Sequence, residues 1–267
     1  MEISQIIGYI LAVFVGITLG MLGSGGSILS VPILVYVMGI EPTLATAYSL
    51  FVIGTTSLVG GIHKAKQKLV DFYKVILFGI PAILSVFVTR KWIVPKIPDL
   101  IFSTENFTLT KSVLIMVVFA FVMIFASVRM IKPLKEKIVI KDVQLNYFKI
   151  ALMGILIGLI SGFVGAGGGF LIVPTLLFFA KTPMKMAVGT SLFIVSAQSL
   201  IGFTGDIMSN QIIDWKLLEY FTLASIIGIF IGNFIAKKVE DEKLKTSFGW
   251  FVLAMGIYII IRELFLS

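Results

Sequence analysis

Two clusters of small residues carry the chemistry this chain can offer: Gly23-Ser24-Gly25-Gly26-Ser27 and Gly165-Ala166-Gly167-Gly168-Gly169. Each precedes a short apolar run that contains a Val-Pro pair, Val31-Pro32 and Val173-Pro174, and each matching residue lies 142 positions after its partner. The first N–H groups of a helix have no partner inside it, and the macrodipole adds about half a positive charge at that end. Glycine lets such N–H groups reach a ligand with no side chain in between. Helices starting near Ser27 and Gly169 would present two anion-binding ends, with the backbone of residues 24–27 and 166–169 as donors. Pro32 and Pro174 fall within or near the first turn, where a missing N–H is best tolerated.

Side chains add to these ends. Ser49, Thr56 and Gly60 share one helix face through their i, i+7, i+11 spacing. The matching face carries Ser191, Gln198 and Gly202, with Thr190 and Ser199 beside it. Hydroxyl and amide groups there would complete the coordination of an oxyanion. Thr55 and Ser57 read as hydroxyls that bond back to their own helix, whereas the Gln198 amide needs partners in hydrocarbon. The pairs Gly16/Gly20 and Gly158/Gly162, spaced four apart, read as close helix contacts. No Asp, Glu, Lys, Arg or His stands in the middle of an apolar run, which argues against a carboxylate proton relay and, with no cysteine, against a metal site. His63, beside Lys64, Lys66 and Lys68, reads as interfacial. There is no phosphate-cradling G-x-x-x-x-G-K-[ST] motif. No cofactor and no enzymatic activity are expected.

The elements that must position these residues are apolar. Of 267 residues 58% are hydrophobic and 13% charged, with a mean hydropathy of +1.06; soluble domains are about 45–50% apolar and about a quarter charged. Ten apolar segments stand out: Ile6–Leu22, Ile28–Met38, Leu44–Gly61, Tyr73–Thr89, Ser112–Met130, Ile150–Val164, Phe170–Ala180, Met186–Thr204, Leu217–Ala236 and Phe248–Phe265. Most have the ~17–25 residues of a spanning helix. Ile28–Met38 and Phe170–Ala180, each directly after a glycine cluster, are half that length and read as broken or re-entrant half-helices. The opening residues lack a positive n-region, so the first run is expected to be a retained helix.

Sixteen of the twenty-two Lys and Arg residues lie in His63–Lys74, Arg129–Lys149, Lys181–Lys185 and Lys237–Lys245. The positive-inside rule places these loops in the cytoplasm and both termini outside. The net charge of +8 is therefore a matter of membrane orientation, not of nucleic-acid binding. Leu44–Gly61 then ends at a basic inner loop, and its counterpart Met186–Thr204 at the acidic outer loop Asp206–Asp214. The same pattern crosses in opposite directions. The predicted fold is an all-α polytopic membrane protein of two inverted repeats of about five segments. Residues 1–131 form the first, 132–149 a basic cytoplasmic connector and 150–267 the second. Between Gly16 and Gly60 the 142-residue offset gives sixteen identities, among them Gly23/Gly165, Pro32/Pro174, Ser49/Ser191 and Gly60/Gly202. The outer loop Lys91–Lys111 carries an Asn106-Phe107-Thr108 triplet.

At these residues the chain resembles the sulfite exporter TauE/SafE family of bacterial and archaeal membrane permeases. The likeness rests on Gly20-Met21-Leu22-Gly23-Ser24-Gly25-Gly26-Ser27 with Val31-Pro32, Ala45 and Ser49-Leu50. Gly162 to Gly169, Val173-Pro174 and Gly189-Thr190-Ser191-Leu192 repeat it. The resemblance implies transport of sulfur-containing anions such as sulfite, sulfonates, sulfoacetate or thiosulfate across a cytoplasmic membrane. Helix ends by themselves argue only for an anion. The expected function is thus secondary transport by alternating access at a midplane site, with a passive anion channel or a non-transporting scaffold as alternatives. The expected partners are a small anion, the bilayer and, for a coupled carrier, an ion; no nucleic acid.

Overall fold

Residues 3–104, 107–131, 147–178, 180–208, 213–236 and 241–265 are described by a computed structural model. The helices are α1 Ile3–Leu22, α2 Pro42–Lys66, α3 Phe72–Val88, α4 Lys111–Ile131, α5 Tyr147–Val164, α6 Gly169–Phe178, α7 Met184–Ile207, α8 Trp215–Ile235 and α9 Asp241–Phe265. An acidic side chain starts three of them. Glu41 accepts from the Leu44 N–H, Asp71 from that of Lys74, and Asp214 from those of Lys216 and Leu217, each satisfying donors that a helix start leaves open. Seven helical stretches are long and apolar enough to cross a bilayer, among the described residues. Their outer faces fit that solvent: Ile76, Ile80 and Leu84 on α3, and Phe121 and Phe125 on α4, are all more than half exposed.

Two helices differ from the rest. In α2 and α7, 72% of the apolar window is buried inside the protein, against 33–44% in the other spans. They form the centre, and they cross antiparallel: Gly202 meets Leu50, Gly54 meets Leu200, and Gly60 meets Leu192. Around them α1 packs along α8, α5 along α3, and α4 along α9.

The contacts are reciprocal at matched positions. A Cβ on Gly60 would lie 3.4 Å from Leu192 Cδ1, and one on Gly202 would lie 3.4 Å from Leu50 Cδ1. The Asp214 N–H donates to the Tyr48 hydroxyl at 2.6 Å, and the Asp71 N–H to the Thr190 hydroxyl at 3.0 Å. Gly23 abuts Val188 as Gly165 abuts Thr46. Gly16 and Gly20 lie against α8, and Gly158 and Gly162 against α3, so close that a Cβ on Gly16 would sit 1.9 Å from the Ser225 carbonyl oxygen. These four glycines are packing residues, as their spacing suggests.

Several expectations need correction. The segment after the first glycine cluster does fold back along α1, with Gly26 against Thr18 and Met38 against Gly8, but it is not one regular half-helix. Gly23–Leu29 is a 3₁₀ run, Ser30–Pro32 a single α turn and Ile33–Val37 a π turn, and the left-handed Gly23 separates them from α1. Pro32 has no N–H to give to an α ladder, and the chain changes its winding on both sides of it. The second copy does contain a short helix, α6, but Pro174 lies in its interior and not in its first turn. The run Tyr73–Thr89 does not stop at Arg90: a π turn, Thr89–Ile93, and one α turn carry it to Lys96. Likewise α7 extends past Thr204 to Ile207 and takes in Asp206. Charged residues therefore do stand inside spanning segments. The outer loop holds a hairpin, β1 Leu100–Thr104 with β2 Phe107–Thr110, which pairs Phe102 with Leu109 and Ser103 with Thr108; Asn106 lies outside the described residues. So do residues 132–146 of the expected connector, while 147–149 open α5.

The cap of α2 gives a pH prediction. Burial pushes the Glu41 carboxyl up, but hydrogen bonds from the Ser112 hydroxyl and from Thr43 and Leu44 outweigh it and hold the group below its usual value. A depressed carboxylate stabilises the fold above its unfolded pKa, about 4.3, and that contribution is lost as pH falls through the folded value. The melting temperature of the purified protein should fall on acidification below about pH 4.3, and Glu41→Gln should flatten that part of the profile. An unchanged profile would remove Glu41 from the account.

Candidate functional site

The structure brings the two glycine clusters together. The Ser24 hydroxyl donates to the Gly169 carbonyl at 2.9 Å, and a Cβ on Gly169 would lie 2.1 Å from the Ser24 carbonyl oxygen. All of Gly23, Ser24, Gly25, Gly26, Ser27, Gly165, Ala166, Gly167, Gly168 and Gly169 are buried. The two copies differ in backbone. In the second, Gly165, Gly167 and Gly168 have φ of 74°, 66° and 60°, a left-handed region that only glycine enters cheaply. The Gly165 N–H bonds the Ser161 carbonyl, and the Leu171 and Ile172 N–H groups bond that of Gly168. Between them, the N–H groups of Ala166 to Phe170 have no backbone acceptor among the described residues. In the first copy only Gly23 is left-handed. There the 3₁₀ turn bonds its N–H groups to carbonyls three residues back. The expected pair of open helix ends is thus one open end, at α6, facing a tightened turn.

Room is also unequal. A Cβ on Gly25 would have a single neighbour within 4 Å, Leu22 Cβ at 3.7 Å, although Gly25 is buried. At its counterpart Gly167 a Cβ would meet Ser199 Oγ at 3.0 Å, with Ile53 and Val195 at 3.1 Å. Space beside the clusters lies on the side of the first.

The side chains divide into holders and free groups. Ser30 donates to the Ser27 carbonyl at 3.0 Å and lies 2.5 Å from the Ser49 hydroxyl, so Ser49 donates to Ser30 and braces the first cluster. The Gln198 amide N–H₂ donates to the Gly167 carbonyl and, at 3.3 Å, to Ser161 Oγ; it braces the second. Thr190 receives the Asp71 N–H, and Ser191 donates to the Val188 carbonyl at 2.8 Å. Neither is held toward the clusters. Among the described residues, the buried polar atoms with no partner include Ser27 Oγ, Thr56 Oγ1, Ser57 Oγ, Gln198 Oε1 and Ser199 Oγ. Thr56/Gln198 and Ser57/Ser199 are matched positions, and the antiparallel register sets Thr56 and Ser57 level with Ser196 to Gln198. Each such atom costs about 1–3 kcal/mol when nothing bonds it, so their gathering marks a place where a polar ligand or water completes the structure.

Ser57 corrects the expectation that it bonds back to its own helix. The sequence reading missed Ser30 and Ser161, whose roles depend on tertiary contacts. It also missed a buried ion pair: Arg90 Nη1 lies 3.3 Å from Asp206 Oδ1, with side-chain exposures of 0% and 3%. The signal was legible, since Trp92-Ile93-Val94 resumes the apolar pattern just past Arg90. A cavity of about 680 Å³ between α1, the π turn and α9 is lined by Leu11, Phe14, Ile33, Val37, Phe251 and Met255, and is too apolar for an anion.

The model of the Sulfite exporter TauE/SafE family matches residues 9–259. A probable membrane transporter protein of Xylella fastidiosa (strain 9a5c) is 30% identical over 257 residues, 93% of this chain and 92% of the relative. The probable membrane transporter protein YunE of Bacillus subtilis (strain 168) is 25% identical over 283 residues, 98% of this chain and 99% of the relative. A stretch of 113 residues is 32% identical to the probable membrane transporter protein MJ0441 of Methanocaldococcus jannaschii, covering 40% and 42%. No solved structure matches the chain.

Proposed function

This chain belongs to the sulfite exporter TauE/SafE family of membrane transporters, and we propose from that premise that it is a secondary carrier of small sulfur oxyanions or sulfonates. The observation that supports it is the meeting of the glycine clusters. Free N–H groups from Ala166 to Phe170 face a buried turn, beside unpartnered hydroxyls and an amide oxygen. N–H groups at a helix start favour negative charge. The anion sits by Gly25 and Ser27, with Gly167, Gly168 and Gly169 as the opposing wall. Thr56, Ser57, Gln198 and Ser199 complete its shell, while Ser49 brings support from behind.

The carrier works by alternating access of two inverted halves in the cytoplasmic membrane, both termini outside. The antiparallel crossing of α2 and α7 and the reciprocal contacts at matched positions support the two-fold relation. Such a relation around a midplane site is the general design of secondary transporters. The test is uptake of radiolabelled sulfite and thiosulfate into proteoliposomes. Saturation with trans-stimulation by unlabelled anion is expected; linear flux without it would indicate a channel, and no flux a scaffold. Within this assay Gln198→Leu should cut uptake about tenfold or more, equivalent to about 1.4 kcal/mol. Ser191→Ala should leave uptake within about twofold, because its hydroxyl is spent on its own helix.

A further inference from the structure

Arg90 is fully buried, in the π turn that follows α3, yet uses one of its donors. Nη1 reaches Asp206 end-on at 3.3 Å, while Nε and Nη2 have no partner; neither does Asp206 Oδ2. A guanidinium keeps its charge under all conditions and offers Nε and Nη2 as a fork that matches two oxygens of one oxyanion. The edge left open is that fork. Burying an ion pair is costly unless its remaining hydrogen bonds are met, and here three polar atoms await partners. Lys111, at the start of α4, adds to the positive potential at Asp206.

The pair lies next to the site. Gly154 packs on Phe78, Gly158 on Ala82 and Gly162 on Val86 and Thr89, so α3 and α5 run side by side in one direction. Continuing that register sets Arg90 level with the end of α5, where the second glycine cluster begins. Asp206 is in the last turn of α7, next to Gly205, which itself abuts Arg90. In the other half, Gly20 packs on Asn233 where Gly162 packs near Arg90, so a neutral amide occupies the equivalent place, with both its polar atoms unpartnered. The charged version exists at one end only, the outer end in the proposed orientation.

We propose that Arg90 is a second anion-binding residue, which takes a small oxyanion bidentately through Nε and Nη2 at the mouth of the second glycine cluster, with Asp206 as the resident counter-ion the anion competes against. The inference rests on the anion-transport reading and adds to it a residue, a geometry and a selectivity. Oxyanions, which set a separate oxygen against each donor in two parallel bonds, are favoured over halides, which offer both donors a single atom. Removing the charge of Asp206 strengthens anion binding, because the cation is then uncompensated.

The test is equilibrium binding by calorimetry to the full chain in lipid nanodiscs, with sulfite, sulfate and chloride as probes. Wild type should bind an oxyanion more tightly than chloride. Arg90→Lys, which keeps the charge and loses the fork, should weaken the oxyanion about tenfold and leave chloride within about twofold. Asp206→Asn, nearly isosteric, should tighten the oxyanion by a similar factor, and it keeps the proposal testable if Arg90→Lys does not fold. Wild-type binding that both folded variants reproduce unchanged would overturn the role of Arg90 while leaving the transport reading intact. Absence of oxyanion binding by wild type would overturn both.

Discussion

Gly25→Leu is expected to insert, fold and melt like wild type while losing anion uptake by more than about tenfold, or about 1.4 kcal/mol of binding. Gly25→Ala should transport nearly normally. The contrast follows from the space at this position. Gly25 is buried with ordinary helical φ, and a Cβ there has only Leu22 at 3.7 Å for a neighbour. Alanine meets no clash, and by reducing the freedom of the unfolded chain it should be neutral or stabilising by ~0.4–1 kcal/mol. Leucine fills the room in which the anion is proposed to bind, beside Ser27 Oγ, which has no other partner. A fill of apolar atoms both excludes the ligand and strips the polar shell. The measurements are proteoliposome uptake of sulfite and thermal melting of the same preparations. Uptake by Gly25→Leu at the wild-type rate would move the anion elsewhere; a melting temperature that collapsed with uptake would deny the space.

Gly169→Ala should fail in the opposite way, by loss of the fold. Its Cβ would sit 2.1 Å from the Ser24 carbonyl oxygen and 2.3 Å from Ser24 Cβ. Backbone cannot swing aside as a flexible side chain can, so the two clusters would have to part. Overpacking of this kind costs ~1–3 kcal/mol, occasionally more, and at ~2–4 °C per kcal/mol for a chain of this size the melting temperature should drop by several degrees. Ser24→Ala is the comparison. It removes only the 2.9 Å bond to the Gly169 carbonyl, worth about 1 kcal/mol net, and should shift melting less. If Gly169→Ala melts at or above Ser24→Ala, the contact between the clusters is not what joins the halves here.

The contrast between these glycines also separates what sequence and tertiary structure contribute. Hydropathy alone dictates that the chain lives in a bilayer, because the apolar runs have helical length and leave no polar face for water. The repeat is equally explicit, since Gly, Pro and Ser at matched positions are costly to retain by chance in apolar sequence. Those residues marked both clusters, and the four-residue spacing of Gly16/Gly20 and Gly158/Gly162 marked close helix contacts before their partners on α8 and α3 were visible.

Other features depended on partners far along the chain. Whether a glycine cluster opens a helix end or tightens into a 3₁₀ turn is decided by what it packs against. The second copy opens because Gly165, Gly167 and Gly168 are pressed into left-handed backbone against Thr46, Ser199 and Ser161. The hydroxyls of Ser49 and Ser191 are matched in sequence yet have different work, one bracing Ser30 and the other bonding its own helix, because residue 30 is serine and its counterpart Ile172 has no hydroxyl. A charge reads as a helix boundary in a hydropathy scan, so the apolar runs end at Thr89 and Thr204, short of Arg90 and Asp206. Only the side-by-side packing of α3 and α7 brings the two together, 116 residues apart in sequence, and makes their burial tolerable. The sequence alone thus determined the solvent, the repeat and the residues that matter. The tertiary structure decided which of the matched residues are free to bind, because hydrogen bonds are exclusive and each donor given to the fold is lost to the ligand.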